Sequence, residues 1–179
     1  AWIQEATEKR GLLNLRPTPD AIPMLVQQPK MAMLVRHKVF TESELRSRYE
    51  IQLENYCKTV RIEALAMVDM ARKEILPSVE AYVSDLATAA AAKSAVSEEL
   101  PWGYEKKLLR KLASLVDTMD GRVDSLEEKL VRLDTLRDTT EEAAFIRDEL
   151  IPAMGELRAV ADESETQTAA KYWPFPTYG

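Results

Sequence analysis

An apolar stripe from Thr41 to about Ala92 constrains this chain more than any other feature. Its members recur every three or four residues, which is the spacing of one face of an α-helix. At a rise of ~1.5 Å per residue the helix would be roughly 75 Å long, so it must project or pack along equally long partners. The stripe consists of Leu45, Tyr49, Leu53, Tyr56, Val60, Ala64, Met67, Ala71, Ile75, Val79, Tyr82, Leu86 and Ala90.

The start of this helix is marked by several local signals. Thr41 predicts an N-cap, and Glu44 three residues later completes a capping box. Phe40 and Leu45 have the spacing of a hydrophobic staple. Pro77 lies inside the stripe, where we expect a kink rather than a stop because the stripe continues in phase. The Ala-rich stretch 87–95 is expected to fray into a turn near 94–99.

Two further amphipathic helices follow. Pro101 fits the first turn of the second helix, and Thr139 with Glu142 predicts a capping box at the start of the third. The third helix fades in the polar run 162–168. The second stripe is Tyr104, Leu108, Leu112, Leu115, Met119, Val123, Leu126, Leu130, Leu133 and Leu136, and the third is Ile146, Leu150, Met154, Leu157 and Val160.

The long helix and the third helix share a short internal echo. Arg72, Glu74 and Pro77 recur 75 positions later as Arg147, Glu149 and Pro152. Coincidence between two amphipathic helices is one interpretation. The other is that two kinked helices bend at the same level of one bundle, where better packing of the flanking aliphatic residues offsets the cost of each proline.

The two ends of the chain are different in character. Residues 2–10 predict a short helix that stops at Gly11 in a left-handed conformation. Thr18 is a candidate N-cap before Pro19, and another short helix is expected to end near His37. The prolines of the tail, 172–178, impose extended geometry, and its aromatic side chains need a surface to bury against.

These patterns predict an all-α chain. We expect an elongated antiparallel bundle of about three long helices, with short N-terminal helices and an extended aromatic C-terminal tail. The expected divisions are residues 1–40 for the short helices and linkers, 41–168 for the bundle and 169–179 for the tail.

Composition narrows the function classes. The net charge is −6 with acidic and basic residues interspersed, and no basic stripe with interleaved aromatics indicates nucleic-acid binding. Cys57 is the single cysteine, which fits a reducing cytoplasm. No apolar run approaches the ~18 residues of a membrane span, and no signal peptide is evident. The chain opens without an initiator Met, so we expect it to be part of a longer protein.

The search for chemistry gives no catalytic, cofactor-binding or metal-binding residue. The five glycines are scattered, so they form no phosphate loop. His37 is the only histidine and reads as a helix C-terminal charge, while Cys57 reads as a buried structural thiol. Adjacent carboxylates at 98–99, 127–128 and 141–142 point apart on a helix. The seven methionines read as core residues.

Several segments resemble the C-terminal region of type III glutamine synthetases. The resemblance covers both ends of the chain and the long helix, while residues 87–168 match only in helical character. The segments are KRGL at 9–12, TPDAIP at 18–23, VFTESEL at 39–45, SRYEI at 47–51, LENY at 53–56, EAL at 63–65, MA at 70–71, ILP at 75–77 and KYWPFPTYG at 171–179.

The resemblance implies a parent enzyme, a glutamate–ammonia ligase, that uses ATP with Mg or Mn in a large homo-oligomeric ring. The family's metal, nucleotide and glutamate sites lie in motifs that match nothing here, so no catalytic residue is transferred. We expect this part to be structural and inactive alone, contacting its own catalytic domain and neighbouring subunits. The alternative is an independent helical adaptor that binds partner helices. A catalytic domain in its own right has little support.

The aromatic tail has a predicted docking place. We expect Trp173 and Phe175 to return to the base of the long helix, near residues 49–60, and to close the helical arm onto the enzyme body or a neighbouring subunit.

Overall fold

The computed structural model describes residues 2–97 and 101–176, and every regular element in these ranges is helical. The predicted all-α class is therefore confirmed. Two predicted features fall outside these ranges: the carboxylate pair at 98–99, which also ends the predicted turn at 94–99, and the tail residues 177–179. The α-helices are α1 (Trp2–Gln4), α2 (Thr18–Ala21), α3 (Gln28–Arg36), α4 (Glu42–Met70), α5 (Leu76–Val96), α6 (Gly103–Leu133), α7 (Thr139–Phe145) and α8 (Ile151–Gln167).

Tighter and wider turns join some of these helices. A 3-10 turn at Ile22–Leu25 follows α2, and a π turn at Glu5–Lys9 follows α1. Further π turns at Ala71–Ile75 and Ile146–Leu150 lie between α4 and α5 and between α7 and α8. The long helix continues to Val96, and Ser97 is extended, so the predicted end of the helix near 94–99 is confirmed as far as the described residues reach.

The chain forms two compact units. The first contains residues 1–61 and 133–148, and the second contains residues 62–132 and 149–179. Helix α4 contributes residues 42–61 to the first unit and residues 62–70 to the second. The predicted divisions at residues 40 and 168 remain predictions.

The capping box at the start of α4 is confirmed. The Thr41 backbone N–H donates to Glu44 Oε2 at 2.7 Å, and the Glu44 backbone N–H donates to Thr41 Oγ1 at 3.2 Å. The bonds that the Thr41 backbone N–H and hydroxyl donate to Glu44 Oε2 favour the ionised carboxylate and lower the pKa of Glu44. Two backbone donors that α4 cannot satisfy internally are therefore paired, and the helix begins where the sequence predicts.

The other two predicted caps are wrong. Helix α2 already includes Thr18, and Pro17 precedes it without a side-chain cap. At α7 the cap is Asp138 rather than Thr139, because Asp138 Oδ1 accepts from the backbone N–H of Thr140 at 2.9 Å and of Glu141 at 3.0 Å. Gly11 does take the predicted left-handed conformation, with φ of 65°.

Each interior proline follows a π turn. Leu76 donates its backbone N–H to Ala71 O, five residues back, immediately before Pro77. Pro152 holds the same place after the π turn at Ile146–Leu150, 75 positions later. A proline removes one helical hydrogen bond and crowds the carbonyl four residues back. The wider turn relieves that crowding, so the helical path continues past both prolines.

The two copies of the repeated sequence pattern therefore also share a local structure. Ala71 and Ile146 open the two π turns and are buried, and Ile75 and Leu150 close them and are also buried. The second position of each turn is an arginine that pairs with a carboxylate of another segment: Arg72 pairs with Asp124, and Arg147 pairs with Asp20. The same local sequence thus produces the same hydrogen-bonding irregularity twice.

Ion pairs show that α6 runs antiparallel to both α5 and α8 in the second unit. Lys93 near the end of α5 pairs with Glu105 near the start of α6, whereas Arg72 pairs with Asp124 further along α6. Helix α8 runs back along α6, since Arg122 pairs with Glu156 at 2.6 Å while Lys111 pairs with Glu163. The predicted antiparallel packing is present in this unit.

Burial follows the predicted stripes closely. From Leu108 to Leu133 every stripe position of α6 is buried, and Leu112, Met119, Val123 and Leu126 are fully enclosed. Tyr104 is the exception, because its side chain is 69% exposed and the neighbouring Glu105 is buried instead. Glu105 accepts from Lys93, and this bond lowers the pKa of the carboxyl and permits its burial.

Candidate docking and ligand sites

The residues considered for catalysis lie in unreactive surroundings. His37 caps the exposed end of α3, as predicted. Cys57 is buried, and its thiol donates to Thr139 O at 3.8 Å. Burial raises the pKa of Cys57 to about 11, and the nearby negative charge of Glu142 adds to the effect. The thiol is therefore un-ionised at neutral pH, as expected for a structural cysteine.

The carboxylates serve as ion-pair partners. Glu127 accepts from Arg72, whereas its neighbour Glu128 points to solvent, so this adjacent pair diverges as predicted. In the described ranges no three His, Cys, Asp or Glu side chains come together in a way that suits a metal ion. No helix there is both long and apolar enough to cross a membrane.

The methionines are not uniformly core residues. Met31 and Met119 are buried, as predicted, but Met33 and Met70 are 45% and 40% exposed. Met70 lines a cavity that Trp173 and Phe175 also line.

The aromatic tail docks within the second unit. Trp173 and Phe175 border a cavity of about 290 Å³. Its other walls come from the end of α4, the following π turn and α8, namely Met67, Met70, Ala71, Ile75, Leu157, Arg158, Ala161, Asp162 and Glu165, with Pro176 beside the aromatics. The tail therefore contacts residues 67–75, so the predicted docking at residues 49–60 is wrong.

Tyr172 fixes the start of the tail on α5. Its hydroxyl donates to Asp85, and its ring lies 5.0 Å from the ring of Tyr82. Lys171 Nζ lies 4.4 Å from the centre of the Tyr172 ring, within the range of a cation–π contact. The hydrogen bond to Asp85 and the ring contact with Tyr82 thus hold the tail on α5 before the cavity begins. The sequence offered no signal for Asp85 as the partner, since it lies 87 positions away.

The N-terminal segment exposes apolar side chains. In the first unit, Trp2, Ile3, Leu12 and Leu13 are between 53% and 72% exposed. The described residues of the chain leave these four side chains uncovered. Exposed large apolar side chains are candidates for a docking surface.

A polar groove of about 500 Å³ lies beside Cys57 in the first unit. One wall is the α4 turn from Glu54 to Arg61, and the other is the segment between α6 and α7. Lys58 pairs with Glu54 at 2.9 Å and Arg61 pairs with Asp134 at 2.7 Å. The sequence did not suggest this groove, because its walls come from segments about 80 positions apart.

Comparison with known proteins identifies the class. The family model described as "Glutamine synthetase C-terminal domain" matches residues 1–94, which is more than half of the chain. The chain therefore belongs to the glutamine synthetase C-terminal domain family.

Individual relatives support the same assignment along the whole chain. A glutamine synthetase of Butyrivibrio fibrisolvens is 34% identical over 99% of this chain and 25% of its own length. The type-3 glutamine synthetase of Dictyostelium discoideum is 26% identical, with 98% of this chain and 24% of its own length covered. A glutamine synthetase of Bacteroides fragilis (strain YCH46) is 29% identical over 99% of this chain and 25% of its own length. The chain thus spans about a quarter of the length of these relatives, and the predicted resemblance to type III enzymes is confirmed.

Proposed function

We propose that this chain is the structural, non-catalytic C-terminal region of an enzyme that ligates ammonia to glutamate at the expense of ATP. The family match over residues 1–94 carries the proposal, because it covers both the exposed N-terminal segment and most of the long helix. ATP and a divalent cation, Mg or Mn, would bind elsewhere in the full-length enzyme. Cys57 kept as a thiol suits the cytoplasm, which is where we place the enzyme.

Docking onto the rest of the enzyme would use the N-terminal surface. Burial of apolar surface contributes ~25 cal/mol for each Å². The exposed side chains of Trp2, Leu12 and Leu13 would therefore be strong anchors on a partner surface. Their partner would be the enzyme's own catalytic domain or a neighbouring subunit of a homo-oligomer. The helical units beyond them would contribute to assembly or shield the mouth of the active site.

The internal docking of the tail supports a structural role. Trp173 and Phe175 contact the chain's own helices, and Tyr172 bonds to Asp85 of the same unit. A helical region whose tail packs on its own helices and whose N-terminal segment exposes apolar residues is suited to be an appended, self-folding part. An independent adaptor would gain nothing from the exposed N-terminal surface unless a partner covered it.

Calorimetry with nucleotide tests the non-catalytic part of the proposal. Titrating ATP with Mg or Mn into the 179-residue chain should give only heat of dilution, and the chain should form no glutamine from glutamate and ammonia. The full-length enzyme serves as the positive control. Saturable one-to-one binding at micromolar affinity by the chain alone would overturn the proposal.

A further inference from the structure

Tyr82 of α5 and Tyr172 of the tail place two phenol rings side by side in the second unit. The ring centres are 5.0 Å apart and the ring planes are tilted by 33°. Both side chains are half-buried, so each keeps a surface that a small oxidant can reach. We propose that these two tyrosines form a site of oxidative cross-linking, at which a one-electron oxidant joins the rings and fixes the tail covalently to α5.

The cross-link forms by coupling of two phenoxyl radicals. Each phenol loses one electron to the oxidant and its hydroxyl proton to a base. The radicals then form a carbon–carbon bond between ring positions next to the hydroxyls, and the hydrogens at those carbons move to the oxygens. The pair loses two electrons and two protons in total. Hydrogen peroxide, acting through a peroxidase, takes them up and is reduced to two molecules of water.

Asp85 supplies the base for Tyr172. The Tyr172 hydroxyl donates to an Asp85 carboxylate oxygen, so the proton has an acceptor in place when the electron leaves. The Tyr82 hydroxyl instead shares a hydrogen bond with Tyr104, and burial together with this neighbour raises the pKa of Tyr82. Because a carboxylate accepts a proton more readily than a hydroxyl does, Tyr172 is the tyrosine of the pair that is oxidised first.

Ring contact, rather than exposure, singles out this pair. Tyr104 is the more exposed side chain, so exposure alone would favour its oxidation. Coupling within one molecule also needs a second ring close by, because held neighbours react far faster than groups that must meet by diffusion. In the described part of the chain, the two tyrosines with rings in face contact are Tyr82 and Tyr172.

The cross-link would act as a redox-sensitive lock on the tail. Tyr172 directly precedes Trp173, which with Phe175 borders the cavity at residues 67–75. A covalent bond at Tyr172 keeps the tail on α5 even when these aromatic side chains leave the cavity. The inference is independent of the proposed function, because it concerns only contacts within the second unit.

The test is oxidation of the 179-residue chain at low concentration by light-activated tris(bipyridine)ruthenium(II) with persulfate, which generates tyrosyl radicals. The monomer should gain dityrosine fluorescence. After trypsin digestion, mass spectrometry should find peptide 74–93 joined to peptide 172–179 with the loss of two hydrogen atoms, and fragmentation should place the bond at Tyr172 rather than Tyr178. The same oxidation in urea should lose this product. A product that joins Tyr82 to Tyr104 instead, or no product within one molecule, would overturn the proposal.

Matched substitutions locate the cross-link. Tyr82→Phe and Tyr172→Phe each keep an aromatic ring but form no phenoxyl radical, so each should abolish the joined peptides. Tyr49→Phe changes a half-buried tyrosine of the first unit and should leave the yield unchanged. Circular dichroism checks the fold of each variant, and if one unfolds, the peptide map of the unchanged chain still decides. An unaltered yield of dityrosine in folded Tyr172→Phe would contradict the assignment.

Two further variants test the neighbours of Tyr172 and should act in opposite directions. Asp85→Asn keeps an oxygen acceptor but removes the base, so the initial rate of cross-linking should fall severalfold. Lys171→Gln removes a cation over the Tyr172 ring that opposes loss of an electron, so the rate should rise. Unchanged rates in both variants would show that the surroundings of Tyr172 do not control its oxidation and would contradict the mechanism.

Discussion

Arg72 forms a two-pronged contact with Glu127. Its Nε donates to Oε1 at 3.2 Å and its Nη2 donates to Oε2 at 2.6 Å. Nη2 also donates to Asp124 at 2.6 Å, and Nη1 contacts Asp120 at 3.3 Å. These hydrogen bonds raise the pKa of the Arg72 guanidinium above its ordinary value. The π turn before Pro77 is thereby linked to one side of α6.

Replacing Arg72 tests whether this network stabilises the second unit. Single exposed ion pairs contribute little, but a bidentate contact within a network of three carboxylates should contribute more. Arg72→Ala should lower the free energy of unfolding by about 1–2 kcal/mol, and added salt should shrink the difference. Urea denaturation measures it.

The adjacent Lys73 is the matched control for Arg72. Within the described part of the chain it pairs only with Asp69, four residues earlier, and both side chains are well exposed. Lys73→Ala should cost less than about 0.5 kcal/mol. Equal costs for the two substitutions would show that the network around Arg72 adds nothing beyond a single ion pair.

Pro77 should be nearly neutral despite its place inside a helix. A proline in a regular helix costs about 3 kcal/mol, but the π turn before Pro77 already accommodates the missing hydrogen bond. Pro77→Ala should therefore change stability by less than about 1 kcal/mol. Ala64→Pro, in the regular part of α4, should cost about 3 kcal/mol or more. A gain near 3 kcal/mol for Pro77→Ala would mean that the turn does not relieve the proline.

The α6 stripe is tested by two substitutions two residues apart. Leu126 is fully enclosed, so Leu126→Ala should cost about 2–5 kcal/mol. Glu128 is exposed, and Glu128→Ala should cost less than about 0.5 kcal/mol. Thermal unfolding distinguishes them, and identical melting temperatures would show that Leu126 does not pack in the core.

Cys57 makes stability depend on alkaline pH. Its pKa rises from 9.0 to about 11 on folding, so the folded state retains the thiol proton that the unfolded state releases first. The stabilising contribution is complete below pH 9 and is lost as the pH rises through about 11. Cys57→Ala should therefore reduce the slope of unfolding free energy against pH in this window. A slope that is the same with and without Cys57 would show an unperturbed thiol.

Residue spacing within one helix predicted the helix starts and the buried faces well. It predicted poorly those features that depend on contact with another helix. The capping box of Thr41 and the buried stripe of α6 follow from spacing alone, because each depends on neighbours within one helical turn. The prediction that Tyr104 is buried was wrong because Glu105 is buried there instead, with Lys93 of α5 as its partner. The predicted cap at Thr139 was wrong because Asp138, directly before it, is the stronger N-cap residue and takes that position.

Long-range contacts account for the remaining errors. The prolines and their 75-residue repeat were visible, but the sequence analysis expected only a kink and not the π turn that precedes each proline. The tail's place on residues 67–75 and the groove beside Cys57 both join segments about 80 or more positions apart. Sequence patterns within one element carry no information about such pairings.

The most direct test of the structural role is made in the full-length enzyme. Replacing Trp2, Leu12 and Leu13 together by Ser removes the exposed apolar surface, while Val131→Ser is a control because Val131 is similarly exposed on α6. Size-exclusion light scattering measures assembly, and glutamine formation is measured for each assembled subunit. We predict that the triple variant loses assembly while the oligomers that remain keep their specific activity, and that the control changes neither. Full assembly with collapsed specific activity in the triple variant would contradict the structural role and place this surface in the catalytic machinery.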